Sequence, residues 1–421
     1  MTVLNGNNGS LQVCRKEIIP YSGSPPFQST LILMTLNRRF LIAILIPTLL
    51  IDIGMGLGNA FIPLYARGLG ASMAAAALIS ALMFMGQALT DLPGGWLVHR
   101  FGDKNMMSSG GVIIVLSMLI RYLSNSLLIF TFSVFLFGVG TSLVWISRMS
   151  WLKKEIRGKQ RGSLMSLVGG SLRIATIIGP LAGGFIAERA GYKILFASQG
   201  LFSLIALGVI LFGVSQTTKS EGSYSDSLKS ASRRWKSGRG TILAAAAGIA
   251  GLTVLRTSRG ILLPLWGGEL GLSEGHIGIV MFAGGLVDAS LFWISGIIMT
   301  RRGRKTAAII CTAGLALAIG LLPLARSFPA LILLSALAGL GNAMGAGINL
   351  TISGDLAPKE SPAAFLSFWR FSMGFAGFGG PALAAWMISA AGNTAAPPVT
   401  AAVGFLGALL MAFFMKETRK H

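Results

Sequence analysis

Twelve stretches of mostly apolar residues, divided by glycine, proline and charge, constrain this chain more than any other feature. A helix of about 20 such residues matches the hydrocarbon core of a bilayer. Spans are read at 40–64, 74–98, 106–123, 127–151, 163–187, 193–214, 241–265, 276–299, 306–325, 330–354, 362–388 and 399–415. Composition agrees: of 421 residues, 53% are apolar and 12% charged, against about 25% charged in ordinary soluble domains. A mean hydropathy of +0.71 needs long runs facing lipid, not one buried core. A soluble enzyme is excluded.

The net charge of +21 raises the question of nucleic acid, but its distribution answers it. With the N-terminus cytoplasmic, the cytoplasmic segments hold 25 of the 35 Lys and Arg, six lie within spans, and four are external: Arg67, Arg189, Lys193 and Arg326. The opposite orientation would put Lys153-Lys154, the run Arg157–Arg161 and Arg301–Lys305 outside, against the positive-inside bias. Both termini are therefore expected in the cytoplasm of a cell whose cytoplasmic (inner) membrane holds the chain. Nucleic-acid binding is the weaker explanation of the charge, and no such partner is expected.

Two cysteines (Cys14, Cys311) and three scattered histidines (His99, His276, His421) offer neither a disulfide framework nor a metal cluster. No GxxxxGK[S/T] phosphate loop occurs. No cofactor, metal or ATP-driven motor is expected. Residues 1–38 are polar and lack the basic-then-apolar design of a signal peptide. Met34 opens a short basic tail into the first span, so residues 1–33 are expected to be disordered or outside the natural product. Residues 215–240, rich in Ser, Lys and Arg, read as a flexible cytoplasmic linker. The chain then divides into 1–38, a six-span bundle over 39–214, the linker 215–240, a second bundle over 241–415, and a tail over 416–421.

The two bundles are copies. Ile62–Ser72 (IPLYARGLGAS) matches Leu263–Ser273 (LPLWGGELGLS), a shift of 201. Gly95–Lys104 (GWLVHRFGDK) matches Gly296–Lys305 (GIIMTRRGRK) at the same shift, Gly138 and Gly140 fall on Gly339 and Gly341, and Gly179-Pro180 falls on Gly380-Pro381. Two copies in one orientation imply bundles related by an axis along the membrane normal, suited to rocking around a central site.

Along residues 34–415 the chain resembles a major facilitator superfamily transporter of the drug:proton antiporter type. The resemblance rests on the loop Gly95, Arg100, Gly102, Lys104 and its echo Gly296, Arg301, Gly303, Arg304, Lys305. The family's acidic position is His99 in one copy and Thr300 in the other. That acid helps hold the cytoplasmic side of the family closed, so the latch here must differ. Histidine is the side chain suited to sensing pH in the physiological range, and His99 reads either as a pH-sensitive gate element or as a tolerated loop substitution. Gly179-Pro180, Gly183 and Gly184 resemble the family's helix-5 antiporter motif, which implies a bend and a tight packing surface, although Ala175 stands where a glycine is expected. Asp52, Gly54, Gly56, Gly58 and Pro63 are similar to the first helix of drug exporters. The helix-4 arginine of proton-coupled exporters is missing, Val134 taking its place.

Ionisable groups within spans are functional candidates because lipid penalises them. Arg121 and Arg148 lie near span ends and are expected to snorkel. Depths of roughly 11–12 Å for Asp91 and Arg370, and roughly 15–16 Å for Arg173 and Asp288, match in pairs. In the fold the chain resembles, helix 2 meets helix 11 and helix 5 meets helix 8. Asp91–Arg370 and Arg173–Asp288 are therefore expected to form two inter-half gate pairs. Asp52, Gly56, Asn59 and Pro63 recur on one face of span 1, opposite Arg256 and Arg259 of span 7. Asp52 reads as a proton carrier or as the neutraliser of Arg256, while Arg256 and Arg259 suit an anionic group.

These features favour a secondary active transporter working by alternating access, most simply a proton-coupled exporter of a small organic compound. Uptake or exchange of an organic anion is the alternative, since intramembrane arginines outnumber aspartates. The partners expected are protons, lipid and a small molecule that is anionic or amphiphilic, with the carrier monomeric. A membrane enzyme would show a catalytic constellation, and a receptor an appended signalling domain; the sequence has neither.

Overall fold

The computed structural model describes residues 40–155, 160–215, 239–357 and 362–418. The segment 1–38, almost all of the linker 215–240, part of the basic run Arg157–Arg161 and the last residues of the tail lie outside the described residues. A π-helical turn, Leu41–Leu45, leads into α1 (Ile46–Asn59). Then follow α2 (Ile62–Gly68), α3 (Met73–Phe101), α4 (Asp103–Leu123), α5 (Leu127–Glu155) and α6 (Gln160–Gly213). The second half holds α7 (Arg239–Glu269), α8 (Glu274–Leu291), α9 (Trp293–Arg301), α10 (Arg304–Gly320), α11 (Phe328–Ala343), α12 (Ile348–Leu356), α13 (Pro362–Ala391) and α14 (Ala396–Phe414).

Ten helices among the described residues are long and apolar enough to cross a bilayer, and α8 with α9, bent by 46°, makes an eleventh. One of the ten covers 46 residues, Val168–Gly213. At 1.5 Å per residue it would be roughly 69 Å long, twice the ~30 Å core of a membrane. It leaves helical geometry at Gly191, where φ is 81°, and so supplies two spans. The fold is twelve transmembrane helices in two six-helix bundles.

The internal repeat is written into the backbone. Positive φ angles pair at the 201-residue shift: Gly70 with Gly271, Gly102 with Gly303, and Gly191 with Gly392. Only glycine takes this region without strain, so each pair fixes the same turn in both halves. Helix starts pair as well. Ser72 accepts the N–H of Ala75 at 3.1 Å and Ser273 that of His276 at 3.4 Å, capping otherwise orphaned donors. Gly347, with φ of 76°, has no such counterpart; its mate is Ile146, inside the unbroken α5.

The halves meet along two seams, α3 against α13 and α6 against α8. Small residues bring these backbones close, as packing in lipid favours. A Cβ placed on Gly278 would lie 2.7 Å from the Pro180 carbonyl oxygen, and one on Gly374 would lie 2.8 Å from the Ala88 Cβ.

Candidate functional site

Two polar clusters sit inside the bundle, one on each seam. The first joins α1, α3, α5 and α13. Arg148 Nη1 donates to Thr48 Oγ1 at 2.9 Å, one turn of α1 from Asp52, whose charge acts on the same guanidinium. Asp52 is 7% exposed and Arg148 9%. Across the seam, Arg370 Nη2 lies 3.0 Å from Asp91 Oδ1, an oxygen that also accepts from Ser142 Oγ. The Arg370 guanidinium stacks 3.5 Å from the centre of the Trp145 ring, a cation–π contact. Two carboxylates and two guanidiniums make this cluster neutral.

The second cluster joins α6, α7, α8, α10 and α11. Arg173 Nη1 stands 3.7 Å from Asp288 Oδ1, with its guanidinium 4.1 Å from the Phe292 ring centre. Asp288 Oδ2 accepts from Asn342 Nδ2 at 3.0 Å. Asn342 Oδ1 accepts from Arg256 Nε at 2.7 Å, and Arg256 Nη2 donates to the Gly345 carbonyl at 3.0 Å. Arg259, one turn along α7, has a buried Nη1 with no hydrogen-bond partner. Among the described residues, three guanidiniums face one carboxylate here.

The backbone around this cluster is broken. α11 ends at Ala343 and α12 begins at Ile348 beyond Gly347. Breaking a helix in lipid frees carbonyls that need donors. Arg256 satisfies Gly345, and Ser295 Oγ, just past the bend between α8 and α9, donates to the Ala346 carbonyl at 3.0 Å.

The structure brings together Asp91 with Arg370, Arg173 with Asp288, and Arg256 with Arg259. A cation beside Asp52 is Arg148. Two expectations need correction. Arg148 does not snorkel, because α5 runs on to Glu155 and holds it well inside the bundle, facing α1. Arg121 lies in the last turn of α4 but is 0% exposed. Its guanidinium turns inward over Phe137 at 4.9 Å, with Phe196 and Phe130 beyond, and Nε donates to Ser133 Oγ at 3.3 Å. Asn59 stands two turns from Asp52, its Oδ1 buried without a partner.

The glycines of α6 form two surfaces. Gly179 and Gly183 abut Gly56 and Leu57 of α1, while Gly184 abuts Glu274 and Gly278 of α8. Backbone angles remain helical through Pro180, the break coming only at Gly191.

Gly95 and Gly296 lie in the last turns of α3 and α9. Of the two repeated loops beyond them, the one at Gly102 carries its own acid and the one at Gly303 draws its acids from elsewhere. Asp103, fully buried, receives Lys154 Nζ at 2.7 Å. Asp355 pairs with Arg304 at 2.6 Å, and Glu417 accepts the backbone N–H groups of Arg304 and Lys305 at 3.0 and 3.2 Å. Carboxylates there meet the positive end of the α10 dipole. His99 has its Nε2 buried without a partner, Thr300 bonds back to Gly296, and Arg100 lies over Trp96. Arg301 closes the last turn of α9.

At the opposite, charge-poor end, the halves are tied by Arg67–Glu269 at 2.8 Å and by Tyr192, whose hydroxyl donates to Glu274 Oε1 at 2.7 Å. The α6–α8 seam is tight on that side of Arg173–Asp288. On the basic side, a Cβ on Gly169, Gly170 or Gly296 would meet nothing within 4 Å.

Sequence reasoning missed Arg148, Asn342 and the break beside it. The signal available for the break was Gly345-Ala-Gly347 inside an apolar run.

Comparison with known proteins agrees with this architecture. The family profile described as Major Facilitator Superfamily matches residues 44–258 and 245–421. Multidrug resistance protein 2 of Bacillus subtilis (strain 168) is 31% identical over 160 residues, 38% of this chain and 40% of the relative. The proton-coupled antiporter flippase LtaA of Staphylococcus aureus (strain USA300) is 27% identical over 92 residues, 22% of this chain and 23% of the relative. The chain thus matches less than half the length of these curated relatives. In fold it is similar to a crystal structure of a POT family transporter in complex with a thioalcohol-conjugated peptide, with a TM-score of 0.74 at 14% identity over 89% of this chain and 96% of that one. With both halves matched, the chain belongs to the major facilitator superfamily of membrane transporters.

Proposed function

We propose that this protein is a proton-coupled exporter that moves a small organic compound by alternating access, as a monomer in the cytoplasmic membrane with both termini inside. The observation that carries the reading is the first cluster, where a buried carboxylate, Asp52, shares Arg148 with the electrostatic field of the inter-half pair Asp91–Arg370. Protonating Asp52 removes the charge that offsets Arg148. Arg148 then repels Arg370, which biases the seam toward opening. Proton occupancy and the position of the halves are linked in this way, and linkage of this kind is what coupling requires. Asp91–Arg370 and Arg173–Asp288 act as gate pairs whose rupture accompanies the change of access. The kinship with a multidrug resistance protein and a proton-coupled antiporter supports the same direction.

The test is paired metabolite profiling inside and outside cells with the wild type, without the protein, and with Asp52→Asn. A compound depleted inside and enriched outside by the wild type is expected. Asp52→Asn should still exchange it across the membrane but not concentrate it. The opposite shift would establish uptake, the reading favoured by the excess of guanidinium in the second cluster.

A further inference from the structure

The offset of 201 that relates the halves carries Gln87 onto Asp288 and Thr141 onto Asn342. Both pairs are hydrogen-bonded in the structure: Gln87 Nε2 donates to Thr141 Oγ1 at 3.2 Å, and Asn342 Nδ2 to Asp288 Oδ2 at 3.0 Å. One helix–helix link is thus built twice, neutral in the first half and charged in the second. The same offset places Met55 opposite Arg256, Gly58 opposite Arg259 and Gly374 opposite Arg173. At the first-half mates of Asp288, Asn342, Arg256 and Arg259 the frame closes with no ionised group, and at the second-half mate of Arg173 it closes on Gly374, so packing alone does not demand these charges.

Those charges do not balance. Arg256 spends its donors on an amide oxygen and a backbone carbonyl. Arg259 keeps a buried Nη1 without a partner, and Asp288 Oδ1 stands 3.7 Å from Arg173 with no hydrogen bond of its own. A buried cation without a counter-charge is costly, and three guanidiniums around one carboxylate leave a two-charge excess. Their planar forks match oxyanions. Beyond Arg259 the surroundings turn apolar: Leu262, Leu263, Ile319, Leu334 and Ala338 line a small cavity with it. Phe292 lies over Arg173 on the other side.

The geometry points to a site for an amphiphilic organic anion: its carboxylate or phosphonate-like group supplies the missing counter-charge between Arg173, Arg256 and Arg259, and its apolar body lies on the Phe292 side, because the leucine-lined cavity beside Arg259 holds only about 10 Å³. Asp288 is the internal stand-in for that group, holding Arg173 loosely until the ligand arrives. Because Arg173 belongs to the first half and Arg256 to the second, the bound anion bridges them. This deepens the reading of the chain as a carrier by naming the chemical class of its cargo.

The test measures thermal unfolding of the purified full-length protein in detergent with four probes of similar size: benzoate, phenylphosphonate, benzylammonium and benzyl alcohol. Saturable stabilisation by one or both anions, and none by the cation or the alcohol, is expected; which anion is stronger separates carboxylate from phosphonate recognition. Arg256→Gln and Arg259→Gln should each weaken the anion roughly tenfold or more. Asp288→Asn, which removes the competing charge, should tighten it by roughly as much. Arg259→Gln breaks no hydrogen bond of Nη1, so it carries the test if Arg256→Gln does not yield monodisperse protein. Equal effects of all four probes, anion affinity indifferent to Arg259→Gln, or weaker binding in Asp288→Asn would overturn the site. Asp52→Asn tests the coupling and Arg259→Gln the site: anion stabilisation that persists in Asp52→Asn, at whatever affinity, but is lost in Arg259→Gln separates loss of proton coupling from loss of the anion site.

Discussion

The two halves share three glycine turns, a serine cap and a helix–helix hydrogen bond, yet their polar interiors differ in kind. In the first half the fourth span, α5, is one unbroken helix, and its buried arginine sits beside a carboxylate in a cluster without net charge. In the second half the equivalent span is split into α11 and α12, and the arginine nearby satisfies a broken backbone instead of an acid. Duplication supplies one frame; the divergence of a few residues makes one seam a balanced latch and the other a cationic receptacle. Within one molecule, the neutral copy is a control for the charged one. It shows which polar groups the fold requires and which it merely accommodates.

The comparison can be broken most severely at Arg370. Replacing it with Leu strands Asp91 in the seam, and leaving one buried partner behind costs about 3–5 kcal/mol. Adding Asp91→Leu should recover most of that loss, measured as stability of the purified protein against denaturant. Arg173→Leu should cost far less, because Asp288 stands 3.7 Å from Arg173 and its side chain is 13% exposed, against 3.0 Å and 5% for Asp91 beside Arg370; an equal loss would mean that the two seams are held alike. A sharper test addresses the broken span. Gly347→Ala forces a side chain into a positive-φ position at a cost of about 1 kcal/mol or more, and the strain falls on the loop that holds Arg256. The smallest effect on stability is expected at the charge-poor end. Arg67→Gln removes an ion pair whose side chains are 42% and 37% exposed, worth less than about 1 kcal/mol. Its signature is conformational: cysteines introduced at that end should react faster with a membrane-impermeant thiol reagent.

Much of this was legible in the sequence. The apolar runs gave the spans, and the shift of 201 gave the duplication, because turns that need positive φ leave glycines at fixed offsets. Depth counted along helices, with the helix neighbours that the family resemblance implies, brought Asp91 to Arg370 and Arg173 to Asp288. What escaped was rotation about a helix axis. Arg148 looked peripheral by depth, but the face it occupies turns it toward Thr48 and Asp52. Arg121 escaped for a related reason, since three phenylalanines from α5 and α6 surround it and only tertiary packing assembles them. Asn342 carried no charge to draw notice. Its role depends on a break that hydropathy does not register, because glycine and alanine are apolar whether or not the helix continues.

One feature of the α6–α8 seam bears on how fast such a molecule can work. Where Gly184 meets Gly278, main chain rests on main chain with no side chains between. Interlocked side chains would have to change rotamer whenever the surfaces shifted, and each change takes time and ordering. A bare contact has no teeth to disengage, so it behaves as a smooth bearing. The temperature dependence of turnover should then be set by the making and breaking of charged contacts, with little contribution from repacking at the pivot.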